Sequence, residues 1–278
     1  MEERKWENLS SDCLVNIFKR LDLEMLLLDV PLVCKHWYQT LLNPLCWQKL
    51  VFPFDYTESR LENALEDEEE SVPRAIKFVV RRSQGCAITL VFPIFTTLEG
   101  VMFVLKKCPA LKFLAVPCYT LMEDEEDIIG AVLGDPFVQR KSKDLLTYRN
   151  WSYILQIIDK ICLHSKNFVG LSVKQAHITN MVASTIVSKL ATIKCLVLNN
   201  AVFEEEEHLE MILLGGKELE VMYVRNCVGF DEDNKHILGL DSRIKDFRCE
   251  GSKAFCYEED YKAMEFLPFP DYILNGDW

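Results

Sequence analysis

Five histidines and eleven cysteines are the side chains with the most direct chemistry in this 278-residue chain. The histidines are His36, His164, His177, His208 and His236. None stands beside acids or cysteines at metal-ligand spacing. Cys162-Leu163-His164 comes nearest, but positions two apart on a helix do not share a face, so they do not converge on one ion. There is no C-x-x-C pair, no G-x-S-x-G elbow and no H-E-x-x-H helix. Gly215-Gly216-Lys217 lacks both the spacing and the Ser/Thr of a phosphate loop. Cys249 and Cys256 are too isolated for a thioester cysteine. The sequence therefore predicts no catalytic residue, no metal and no cofactor, and hence a protein that is not an enzyme. The cysteines are odd in number and scattered, and seven or more fall in apolar-periodic segments. They read as reduced, buried thiols of a cytosolic or nuclear protein.

Composition narrows the partners. The chain is 49% hydrophobic and 27% charged, with a net charge of -12. That is a globular composition. A net negative charge argues against binding nucleic acid or an anionic membrane surface, both of which need cationic surface. MEERKWENLS carries charges where a signal peptide needs an apolar core, and no apolar run approaches the length of a membrane span. Residues 58–70 hold seven acids and one Arg. They read as a flexible acidic linker ending at Pro73, which suits the start of a helix. Acids at 123–127 and 204–207 precede apolar-periodic stretches, as at helix N-termini.

The elements that would position any interaction surface fall into two groups. Ser10 and Ser11 are N-cap candidates for a helix carrying Leu14, Ile17, Phe18 and Leu21 on one face. Leu23 to Val30 is a second apolar stretch, and Leu32, Val33, Trp37 and Leu41 form a third at helical spacing. Asn43-Pro44 stops it, and Leu45, Trp47 and Leu50 close a small three-helix unit. So small a core leaves apolar side chains half exposed, which predicts a docking partner.

After residue 85 an apolar pattern at positions 1, 4 and 6 recurs. It reads Ala87-Leu90-Phe92, Leu111-Leu114-Val116, Phe168-Leu171-Val173, Ile193-Leu196-Leu198, Leu219-Met222-Val224 and Ile244-Phe247-Cys249. Spacings at the fourth position are about 25 residues, with one gap of about two periods, a leucine-rich-repeat period. A degenerate repeat is expected in that gap, near 139–153. Helical spacing between the strands predicts helices around Leu98–Leu105, Ile154–Ile161, Met181–Ile186 and Leu209–Leu213, the last ended by Gly215-Gly216.

From Trp6 to Phe52 the chain resembles the F-box: Leu9, Leu14, Ile17-Phe18, Leu21, Val33-Cys34-Lys35-His36-Trp37 and Leu45-Cys46-Trp47 stand in that family's order, with Ser10 where the family usually has Pro. With the repeats, the whole chain resembles plant-type F-box/leucine-rich-repeat proteins. The resemblance implies an α/β architecture: a three-helix F-box, then a short solenoid with parallel strands on the concave face and helices on the convex face. The expected boundaries are 1–54 for the F-box, 55–71 for the linker, 72–252 for six or seven repeats and 253–278 for an aromatic C-terminal cap or tail. It also implies docking onto a Skp-type adaptor, and through it a cullin, as the substrate adaptor of a ubiquitin ligase. The alternative is a repeat scaffold or an F-box protein outside a ligase. The match names Leu9, Leu14, Ile17, Leu21, Val33 and Trp37 for adaptor docking, without sorting contacts from core. Strand alternation puts positions 3, 5 and 7 on the open concave side. There Lys174, Asn199, Tyr223, Arg225 and Arg248 are expected to read an acidic or phosphorylated substrate.

Overall fold

A computed structural model of the chain describes residues 6, 9–53, 59–61, 73–93, 96–116, 153–240 and 243–254. The first helix, α1 (Ser11–Phe18), is capped as expected: the Ser10 side chain accepts from the Cys13 amide. A π-helical turn, Met25–Asp29, runs directly into α2 (Val30–Val33), where Pro31 fits because the first turn needs no amide donor. After α3 (Lys35–Thr40), Asn43 caps a 3-10 turn over Pro44–Trp47. Leu14, Phe18, Leu26, Val30, Leu41 and Trp47 form the small core between these pieces. The Trp47 indole donates to the Leu41 carbonyl at 2.8 Å, so its polar edge is satisfied inside that core.

The rest is an α/β arrangement around one seven-stranded parallel sheet. Its strands are β1 (Lys49–Val51), β2 (Thr89–Val91), β3 (Phe113–Val116), β4 (Gly170–Val173), β6 (Cys195–Val197), β8 (Val221–Tyr223) and β9 (Asp246–Arg248). The sheet order follows the chain order, as in a leucine-rich-repeat-like solenoid. Leu90, Leu114, Leu171, Leu196, Met222 and Phe247 are successive register partners, so the repeat spacing read from the sequence is the strand register. Leu50 pairs with Leu90 at the other edge. The helical unit therefore ends in a strand of the repeat sheet, and the two share one continuous core. That strand went unread because it precedes the first repeat by 40 residues and lies in the stretch that reads as helical closure.

β3 pairs directly with β4. Of the degenerate repeat expected near 139–153, only Tyr153 is among the described residues. Residues 117–152, like most of the linker and the tail from 255, lie outside the described residues. The described part of the linker is anchored rather than free. Arg60 makes two 2.9 Å hydrogen bonds to Asp29, Ser59 bonds Glu24, and Leu61 is buried.

Helices join the strands: α4 (Arg74–Ser83), α5 (Leu98–Lys107), α6 (153–164), α7 (Asn180–Lys189), α8 (Glu206–Gly215) and α9 (Lys235–Leu240). Pro73 precedes α4 and Gly216 follows α8, where the breakers were read. After each of the later strands the chain turns through a left-handed residue: Gln175, Asn200, Asn226 and then Gly251. Two residues past each turn a second ladder forms, from β5 (His177–Ile178) to β7 (Val202–Phe203), then Val228 and Lys253.

Candidate functional site

Two surfaces carry the residues singled out from the sequence. On the helical unit the structure separates core from surface. Leu14 is fully buried, and Leu9, Leu21 and Trp37 are partly buried against the core. Trp37 stacks edge-on with Phe18 at 5.4 Å, and His36 donates to the Leu9 carbonyl at 3.0 Å, tying the start of the unit to α3. Ile17 and Val33 are exposed, at 39% and 52%. They are joined by exposed Met25, Leu32, Tyr38, Leu42 and Leu45, none of which was named for adaptor docking. Leu32 is 83% exposed, on a helix of one turn that cannot cover it. Its position between Pro31 and Val33 was visible in the sequence; its orientation was not.

The second surface is the strand face opposite the helices. Alternation suggested an open face, but Val91, Phe113, Ala115, Cys195, Val197, Val221 and Tyr223 form a second buried apolar cluster there. Ser172 on β4 and Asn199, just past β6, are buried as well. The correction is physical: alternation fixes which way a side chain points, not whether water reaches it. Tyr223 is 2% exposed, and its hydroxyl donates to Asp246 at 2.5 Å. The guanidinium groups of Arg225 and Arg248 stand 5.1 and 5.0 Å from its ring centre. Arg248 makes a two-point contact with Asp246, and Arg225 bonds Glu250 at 3.0 Å. Asn199 accepts from the Arg225 amide. The structure thus gathers Asn199, Tyr223, Arg225 and Arg248 into one cluster, with two cations matched by two carboxylates. An incoming phosphate would have to displace Asp246 and Glu250.

Lys174 lies beyond β4, and burial pulls its ammonium down to about 8 from an ordinary 10.5. The folded-state value is below the unfolded one, so between about pH 8 and 10.5 the unfolded chain binds more protons. Stability should rise with pH across that window and be lost below it. Lys174→Met should therefore raise the melting temperature at pH 7 and flatten the rise seen in the parent at alkaline pH. An unchanged melting temperature at pH 7 would show that the ammonium is not penalised.

Among the described residues no three His, Cys, Asp or Glu side chains sit close enough to hold a metal ion, and no described helix is long and apolar enough to cross a membrane. The nine described cysteines are free thiols. Burial pushes Cys46 and Cys108 up to about 11 and Cys195 and Cys227 up to about 12, which keeps these thiols neutral and weakly nucleophilic.

A parallel repeat sheet preceded by short helices defines a leucine-rich-repeat-like α/β protein with an N-terminal helical unit. No protein-family model matches the chain. It is similar to an F-box/LRR-repeat protein of Arabidopsis thaliana, 25% identical over 80% of this chain and 72% of that protein. It is also similar to the F-box protein FBW2 of Arabidopsis thaliana, 24% identical over 99% of this chain and 88% of that protein. The two matches support an F-box/leucine-rich-repeat family for this chain.

Proposed function

We propose that the chain is the substrate-recognition subunit of a Skp–cullin–F-box ubiquitin ligase, acting in the cytosol or nucleus. The helical unit up to Trp47 is the F-box and docks a Skp-type adaptor; the repeats select the protein substrate, and catalysis is borrowed from the complex. The observation that carries this reading is the row of exposed apolar residues on the helical unit, read together with the F-box names of both relatives. Exposed Leu, Val, Ile and Met at this density stay in water only at a cost, which an apolar partner removes.

Ile17, Val33 and the newly found Leu32 make the contact in this reading, while Leu14 serves the core. Ile17→Asp with Val33→Asp should weaken co-precipitation of a Skp-type adaptor roughly a hundredfold or more, since two central interface anchors are lost. The melting curve should stay intact, because both side chains already face solvent. Undiminished capture by the folded double variant would overturn the docking assignment. Recovery of adaptor without cullin from the parent protein would place it outside a ligase.

A further inference from the structure

The chain carries a net charge of -12, yet residues 74–112 hold seven cations and a single acid, Glu99. The fold concentrates five of them, Arg81, Arg82, Lys106, Lys107 and Lys112, at the helix ends and the turns that follow. On α4, Phe78, Arg81 and Arg82 stand at i, i+3 and i+4, one face of the last turns; on α5, Phe103, Lys106 and Lys107 repeat that arrangement 25 residues later. The interval equals the repeat period, so both sets reach the same edge of the solenoid. α4 packs against α5. On α6, Lys160 and Leu163 occupy the corresponding turn, followed by Lys166.

The turns that leave these helices lie side by side. The Lys112 amide donates to the Ile88 carbonyl at 2.8 Å, and the Val169 amide to the Lys112 carbonyl at 2.9 Å. Adjacent turns are thus about one strand spacing, ~4.8 Å, apart. Arg81, Lys106, Lys107, Lys112, Lys160 and Lys166 are all exposed, and among the described residues none of them is in an ion pair. This contrasts with the far end of the same edge, where Lys189, Lys194 and Lys245 are paired with Asp159 and Glu220. Attraction to helix C-terminal carbonyls accounts for cations in a last turn. It does not account for Lys112 and Lys166, which lie past the helices. Two exposed apolar side chains punctuate the patch: Phe78, 45% exposed beneath the Arg82 guanidinium at 5.0 Å, and Leu163, 65% exposed.

We propose that this edge of the first three repeats is an interaction surface for an acidic polypeptide segment that also carries apolar side chains. The cations match runs of Asp and Glu, while Phe78 and Leu163 offer apolar footholds that a polyanion without them would not use. A polypeptide is favoured over nucleic acid or an anionic bilayer because the patch spans only three turns on a chain of net -12, which a long or extended anionic surface would meet unfavourably. As the recognition surface of a ligase subunit, it rests on the function proposed above. As a binding surface it stands without it, and the test uses the full chain alone.

The probe is a fluorescently labelled oligoglutamate peptide with two leucines, with its glutamine counterpart as reference. The glutamate peptide should bind and weaken steeply with added salt, and the glutamine peptide should not bind. Lys106→Glu with Lys107→Glu should lower affinity about tenfold or more, by loss of attraction and added repulsion. Lys217→Glu with Lys235→Glu, the same charge change on exposed lysines elsewhere, should leave binding unchanged. Equal loss in both double variants would reduce the effect to net charge and overturn the proposal. So would tighter binding to duplex DNA or to anionic vesicles than to the peptide, or no binding to any of them. Adaptor capture measured in parallel separates this outcome from failure of the ligase reading.

Discussion

Phe113→Ala should destabilise the protein by about 3–5 kcal/mol, among the largest effects of any single truncation in the sheet. Phe113 sits on β3, on the strand face opposite the helices, and is fully buried. It packs in the cluster formed by Val91, Ala115, Cys195, Val197, Val221 and Tyr223. Removing its ring leaves a cavity that the neighbouring strands cannot close, since their backbones are held by parallel pairing on both sides. On an open solvated face the same change would cost a few tenths of a kcal/mol. Denaturant unfolding decides between the two. A midpoint within error of the parent would show that the face is wet and that the second apolar cluster does not contribute to stability.

Gly229→Ala should be comparably damaging for a different reason. Gly229 has φ +113°, outside the range that side-chain-bearing residues readily adopt. A Cβ there would stand 2.3 Å from the Phe203 carbonyl oxygen and 2.9 Å from the Phe203 Cβ. The obstacle is backbone in the second ladder, so no side-chain rotation relieves it. Phe203 is itself fixed edge-on against Phe230 at 5.5 Å. Strain plus displaced packing should cost roughly 3 kcal/mol or more. Gly239→Ala is the matched control, because a Cβ at Gly239 meets nothing. Equal melting temperatures for the two variants would contradict the close approach of Gly229 to Phe203.

The period of the repeats was legible because every strand needs the same residues against the helices: Leu90, Leu114, Leu171, Leu196 and Met222 are all fully buried. Capping and breaking residues act through their own backbone, so Ser10, Pro73 and Gly216 marked their elements without any tertiary information. The candidate surfaces were only half legible. Leu9, Leu14, Ile17, Leu21, Val33 and Trp37 are all apolar at helical spacing, and spacing alone cannot tell the buried Leu14 from the exposed Val33. The basic edge was written in the local charge of residues 74–112, but a net count over the whole chain conceals it.

By itself, then, the sequence determined the helical unit, the strand register and the repeat positions buried against the helices, because these follow from short-range periodicity and local backbone preference. Tertiary structure decided the rest. It joined Lys49–Val51 to the repeat sheet, paired β3 directly with β4 across a long intervening segment, and buried the strand face around Phe113 and Tyr223. It also matched Arg225 and Arg248 to Glu250 and Asp246, and brought exposed cations of three repeats onto one edge. Each of these depends on which residues, distant in the chain, come to lie within a few ångströms of one another, and no periodicity encodes that.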